Sequence, residues 1–301
     1  MDLEELFSCV SSASCVMAQS TNGLIVGMLL FLVASGLSLI FGVLKVINFT
    51  HGSLYMLGAY GALYVYRLTD NYFYAVVGGT AAVALFGVLL ERLFISRVYK
   101  SDILMQLLVC YGWILVLDDL VKIWFGSEFQ SLGMPETFAI PPVMVFDSPI
   151  PPFYIFLIAV SCLVALAIWL LMEKSSLGRK IRAAAVNSSM TGALGINTSA
   201  MYAAVFALGA GLAGFAGALA APVRSMTSGM GFSVLIESFI VTVIGGMGSI
   251  SGAFIAALLI GLVRSFGSVG FPLFVEGLVF LLMAIVLILR PNGLFGKREK
   301  S

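Results

Sequence analysis

The stretch "VIGGMGSISGAF", Val243 to Phe254, decides the fold. It lies in an apolar run, Phe232 to Arg264, that is long enough for one tilted membrane crossing. At its centre Gly245, Gly246, Gly248 and Ser249 stand where a helix is hardest to continue, since each glycine costs a helix interior about 1 kcal/mol against alanine. A broken helix pair over residues 232–264, meeting at Gly245 to Ser249, is therefore expected. Its first half, about 13 residues and about 20 Å long, falls short of a hydrocarbon core roughly 30 Å thick, so the break is expected inside the membrane.

Charge and parity support two passes rather than one. Short loops rich in Lys and Arg stay on the cytoplasmic side. Lys174, Arg179, Lys180 and Arg182 form the densest cluster, and Arg290, Lys297, Arg298 and Lys300 mark the tail. Both are expected inside. From Ile123 to Met172 there is neither Lys nor Arg, while Glu128, Glu136, Asp147 and the prolines of "IPPVMVFDSPIPP" make an acidic, kinked loop expected outside. The run Ala200 to Ala221 then leads outward and the final apolar run must return inward. Whatever lies between enters and leaves on the same side.

Composition sets the class. Of 301 residues, 60% are apolar and 10% charged, with a mean hydropathy of +1.08, against roughly a quarter charged in soluble domains. Gly23 to Leu44, Tyr72 to Phe94, Tyr154 to Met172 and Phe271 to Leu289 approach the roughly 20 residues of a spanning helix and far exceed a barrel strand. The expectation is an all-α integral membrane protein. A single transmembrane domain over residues 1–301 would hold about eight transmembrane helices, including broken or re-entrant half-helices. Residues 1–22 begin acidic and read as a short amphipathic leading helix, with signal cleavage the alternative. Cys9, Cys15, Cys110 and Cys162 lack metal-ligand spacing and read as small buried hydrophobes. A net charge of +1 argues against nucleic acid.

The segment "VINFTHGSLYMLGAYGAL", Val46 to Leu63, repeats the plan of the opening stretch: apolar helix, short break with glycine, then a helix dotted with small residues. Such a pair implies an internal repeat and points to a permeation path. In this reading Asn48 and Thr50 cap the second half-helix, and His51, the lone histidine, sits neutral beside its positive dipole end. Asn48, Thr50, His51, Gly52, Gly245, Gly246, Gly248 and Ser249 are the candidate translocation residues. Two plainer readings stay open: the glycines serve a tight helix crossing, and His51 satisfies backbone carbonyls at a helix junction.

"GLSLIFGVLKVINFTHGSLYMLGAY" (Gly36 to Tyr60) resembles the first core segment of the permeases of branched-chain amino-acid ABC importers, the LivH type. "GRKIRAAAVNSSMTGALGIN" (Gly178 to Asn197), "VIGGMGSISGAF" and "ILRPNGLFG" (Ile288 to Gly296) are similar to that family in the same order. The resemblance implies a permease paired with a second, related permease in the bacterial inner (cytoplasmic) membrane, two cytoplasmic ATPase subunits and a periplasmic solute-binding protein. No cofactor is expected in this chain, which has no G-x-x-x-x-G-K-[ST] phosphate loop; ATP and Mg are used by the partners. The resemblance also implies that residues 173–199 hold a coupling helix, with Gly178, Arg179, Arg182, Ala185, Gly192 and Gly195 as candidate coupling residues. Ile181, Ala184 and Ala185 recur at helical spacing, and Gly192 and Gly195 allow a sharp exit. The positive-inside rule alone would also account for the charges.

Asp118, Asp119, Lys122, Arg224, Glu237, Arg264 and Glu276 fall near outward helix ends and read together as an outer vestibule. Lys122 is in reach of both Asp118 and Asp119; Arg224 with Glu237, and Arg264 with Glu276, are the expected pairs between elements. Snorkelling or interfacial pairing is the plainer account. The expected function is an ATP-driven importer subunit for branched-chain or other neutral amino acids. Alternatives are the same machine carrying urea or short amides, or a stand-alone channel or ion-coupled transporter. One histidine, no H-E-x-x-H and no G-x-S-x-G leave an intramembrane enzyme without support.

Overall fold

A computed structural model describes residues 3–99 and 101–296, so the predicted tail cations Lys297, Arg298 and Lys300 lie outside the described residues. The chain opens with α1 (Leu3–Ser11) and α2 (Ala13–Leu44). This corrects the single leading helix expected over residues 1–22: the backbone turns extended at Ser12, and residues 13–22 are the first turns of α2. A disulfide between Cys9 and Cys15 ties the two helices together. That corrects the cysteine reading as well, for only Cys110 is a buried free thiol, and Cys162 is exposed on the surface of the bundle.

There follow α3 (His51–Thr69) and α4 (Tyr72–Leu90), the latter running through a π-helical turn, Glu91–Ile95, into α5 (Ser96–Val98). Next come α6 (Ile103–Phe125), a hairpin of β1 (Val143–Val145) and β2 (Ser148–Ile150), and α7 (Pro152–Lys174). Phe146 and Asp147 both have positive φ, the two-residue turn that suits the twist of a tight hairpin. The chain continues through α8 (Ser176–Val186), α9 (Ser188–Ala193), α10 (Thr198–Ala220), α11 (Met230–Gly245), α12 (Ile250–Gly270) and α13 (Val275–Leu289). Seven helices among the described residues are long and apolar enough to cross a membrane, while α11, with 16 residues, is shorter. The protein is an all-α, multi-pass membrane protein.

Small residues decide which helices sit inside. α2 and α10 are buried on most sides, whereas α6, α7 and α13 keep most of their apolar surface open, as lipid-facing helices do. At the α3–α10 crossing Gly58 lies directly on Gly214, and Gly217 lies on the Tyr55 carbonyl; a Cβ at Gly58 or Gly217 would strike backbone, and one at Gly214 would strike the Val83 side chain of α4. Gly23 and Gly27 play the same part where α2 meets Gly261 and Ala257 of α12. Inside a bilayer, where water does not drive helices together, such close backbone approach is a main source of packing energy.

The two predicted breaks both exist but differ in depth. After Gly245 the chain turns at once and α12 begins at Ile250, with Ser249 accepting from the Gly252 N–H at 3.1 Å as its cap. The Leu294 and Phe295 N–H groups, just past α13, donate to the Ile244 and Gly245 carbonyls at 2.8 and 3.1 Å. Gly248 lies against Gly42, near the end of α2. The expectation of a mid-membrane break between two half-helices is therefore corrected. This break is level with the ends of α2 and α13, and α12, with 21 residues, is a full-length helix. α10 to α13 still alternate in direction, so the parity of the chain is as expected.

The first break is the deep one. α2 ends at Leu44, and Lys45 to Thr50 climb back without helix so that α3 starts well inside the bundle. There His51 meets Val33 of α2, and Gly52 lies on Gly231 at the start of α11.

Candidate translocation and coupling sites

The residues of the first break are sealed. Asn48, Thr50 and His51 are each 0% exposed. Asn48 Oδ1 accepts from the Thr50 N–H at 3.1 Å, so Asn48 holds the start of α3. Thr50 occupies the N-cap position, but its hydroxyl makes no capping bond, which corrects half of the expected capping pair. His51 Nε2–H donates to the Val33 carbonyl at 2.9 Å. That contact fixes the tautomer, leaving Nδ1 as a bare acceptor. The plainer reading of His51, a group that satisfies a backbone carbonyl at a helix junction, describes this geometry.

At the second break the glycines are packing elements. Gly246 has φ +99 and lies against Gly296 and Asn292, and Gly248 has φ +85. Gly245 faces the Gly252 carbonyl across the turn. The two breaks are not brought together into one polar site: the first is buried beside Val33, whereas Gly248 and Met247 are exposed at the α8 end.

α8 is amphipathic as expected, but its apolar face is turned inward. Ile181 and Ala184 are buried against Leu39 and Val43 of α2 and Met201 and Val205 of α10, with Ala185 packed beside them. Ala185, a candidate coupling residue, is half-buried at the edge of this cluster. Gly178 is also buried, because a Cβ there would strike the carbonyls of Leu171 and Met172 at the end of α7. Arg182 donates to the Met172 carbonyl and pairs with Glu173 at 3.5 Å, so it braces α8 against α7. Arg179 and Lys180 remain exposed, as do Val186, Met190 and Leu194. At the exit Gly195 takes the left-handed conformation, φ +82, while Gly192 does not.

At the opposite end, Arg264 of α12 bonds Glu237 of α11 at 2.8 Å and also Glu276 of α13. The predicted Arg224–Glu237 pair is replaced by this three-residue network, because Arg264 reaches both acids. Arg224 instead lies beside the Tyr55 side chain, which Glu237 also approaches. Lys122 pairs with Asp119 at 3.0 Å. Asp118 does not join them but turns toward Gly229, at the start of α11.

Sequence reasoning missed Tyr55 and the Glu91–Tyr99 pair. Glu91, 2% exposed, begins the π-helical turn and accepts from the Tyr99 hydroxyl at 2.7 Å. Burial, and then the Glu91 carboxylate, push the Tyr99 hydroxyl above the ordinary phenol range, so it stays a donor. The signal was an acid in an apolar run followed eight residues later by a tyrosine, a spacing without a motif.

A bundle with one deep unwound segment, a short helix braced across one end and a charged network at the other has the build of a membrane permease. Residues 19–289 match the family described as the permease component of the branched-chain amino acid transport system, and the chain belongs to that family. It is 31% identical over 294 residues to the high-affinity branched-chain amino acid transport system permease protein BraD of Pseudomonas aeruginosa, covering 93% of this chain and 96% of that one. It is 29% identical over 296 residues to the LivH permease protein of the corresponding system in Escherichia coli, with the same coverage. A probable LivH permease of Methanocaldococcus jannaschii is 29% identical over 280 residues, 89% of each chain. No solved structure matches.

Proposed function

We propose that this chain is one transmembrane subunit of an ATP-driven importer for branched-chain or other neutral amino acids, seated in the cytoplasmic membrane. The observation that carries the reading is the family match over residues 19–289, which takes in both breaks and α8. A second, related permease would complete the pathway, two ATPase subunits would supply ATP hydrolysis with Mg, and a solute-binding protein would deliver the cargo. The braced position of α8 supports its role as the coupling helix: a lever must be fixed to the bundle it moves, and Ile181, Ala184 and Arg182 fix it. Its exposed side, with Arg179 and Lys180, is left to meet the ATPase.

At the outer end, the network of Glu237, Arg264 and Glu276, with Arg224 beside Tyr55, offers both signs of charge within a short distance. Such a surface favours a zwitterion over a neutral amide, which favours amino acids over urea. The test is uptake of radiolabelled leucine by cells expressing this chain with its genomic neighbours, with an intact or an inactivated ATPase site. Expected is ATPase-dependent uptake competed by valine and isoleucine and indifferent to urea. Uptake of urea or an amide in place of leucine would move the cargo, and uptake indifferent to the ATPase site would overturn the importer.

A further inference from the structure

The six residues from Asn48 to Ser53 carry four polar side-chain atoms with no protein partner among the described residues: Asn48 Nδ2, Thr50 Oγ1, His51 Nδ1 and Ser53 Oγ. All four residues are 0 or 1% exposed. The backbone around them is short of partners too. Thr50 N–H has Asn48 Oδ1 and His51 N–H has the Asn48 carbonyl, but the N–H groups of Val46 to Phe49 donate to no backbone group among the described residues. A buried group without a partner costs far more than a satisfied one gains, and native chains leave few of them. One such atom would carry little weight. Four in six consecutive residues, where an unwound stretch enters α3 inside a bundle, describe a site.

The chemistry of the groups narrows what fills it. Asn48 Nδ2 can only donate, since Oδ1 is already turned to Thr50 N–H. His51 Nδ1 can only accept, because Nε2 carries the proton given to Val33. Thr50 and Ser53 hydroxyls do either. A metal cation does not suit a donor such as Nδ2, and no carboxylate stands among these groups. A transported solute does not suit a place closed to solvent on every side. A molecule that both donates and accepts, and is small enough for a closed space, is water.

We propose that the unwound residues Val46–Thr50, with the first turn of α3 as far as Ser53, are a built site for internal water, about two or three molecules on the usual count of about three hydrogen bonds each. The water, not a passing solute, satisfies Asn48, Thr50, His51 and Ser53. It also accepts from the free backbone amides and lets α3 start deep in the bundle, which lipid would not permit. The interruption is then a hydrated joint between α2 and α3, closed to the bulk.

X-ray radiolytic labelling of the full chain with its co-expressed partners in lipid nanodiscs tests this, because hydroxyl radicals made from bound water oxidise the side chains next to it. His51 is expected to be oxidised although it is fully buried, while Phe31 and Phe206, equally buried among apolar groups, stay unlabelled. After brief mixing with H2 18O, the oxygen on His51 is expected to remain 16O, since enclosed water exchanges slowly. No more label on His51 than on Phe31 and Phe206 would overturn the proposal. Immediate 18O incorporation would overturn it too, by showing bulk access. The double substitution Thr50→Val with Ser53→Ala is expected to abolish the His51 label; if that variant does not insert, the comparison within the native chain still decides. The readout does not depend on which solute the importer carries.

Discussion

At the scale of single residues, His51 shows how one bond can fix a side chain's role. Its Nε2–H meets the Val33 carbonyl of α2, and its ring lies beside the close approach of Gly36 to Gly209. Replacing it by leucine removes the donor that the Val33 carbonyl meets, at about 1–3 kcal/mol for a buried polar interaction lost without replacement. Asparagine keeps a donor on a shorter arm. His51→Leu is therefore expected to lower the melting temperature of the purified complex clearly, and His51→Asn to lower it by less, with uptake retained. A pH-dependent loss of uptake in His51→Asn that the native protein does not share would show instead that the imidazole titrates during transport.

At the scale of elements, the two arginines of α8 separate functions that its charge pattern runs together. Arg179 is exposed, whereas Arg182 is held by the Met172 carbonyl and Glu173. Arg179→Glu is expected to reduce substrate-stimulated ATPase activity by roughly the tenfold that about 1.4 kcal/mol of lost interface attraction represents, with assembly unchanged. Arg182→Glu places two acids together at the α7–α8 junction and is expected to cut the yield of assembled complex. Equal effects of both on assembly would remove the distinction. This is also where the sequence was least legible. Spacing placed α8 and its apolar face correctly, but periodicity cannot say whether such a face meets the parent bundle or a partner. It meets the bundle because Leu39, Val43, Met201 and Val205 end at the same level. The Gly245–Ser249 break was visible because glycine and serine interrupt an apolar run. Its depth was not, since that depends on Leu294 and Phe295, some fifty residues on in sequence, pairing with Ile244 and Gly245. The charged network was foreseen as a group and mispaired, because the reach of Arg264 to two acids depends on how α11, α12 and α13 pack.

At the scale of the whole molecule, orientation follows from two independent kinds of residue. The basic residues around α8 assign that end to the cytoplasm. α2 ends there, beside Ile181 and Ala184, so α1 and the start of α2 lie at the opposite end. The Cys9–Cys15 disulfide is found at that opposite end, and disulfides persist on the oxidising side of a membrane and rarely in the cytoplasm. The thiols therefore report topology. In intact spheroplasts a membrane-impermeant maleimide is expected to leave the chain unlabelled, and to label it at Cys9 and Cys15 once an impermeant reductant has opened the bridge. Cys110 is buried and gives no signal. Cys162 lies midway along α7 and faces the hydrocarbon, where a polar reagent does not reach. Labelling that appears only after the membrane is permeabilised would place the amino terminus inside, and with it would invert every helix from α2 to α13.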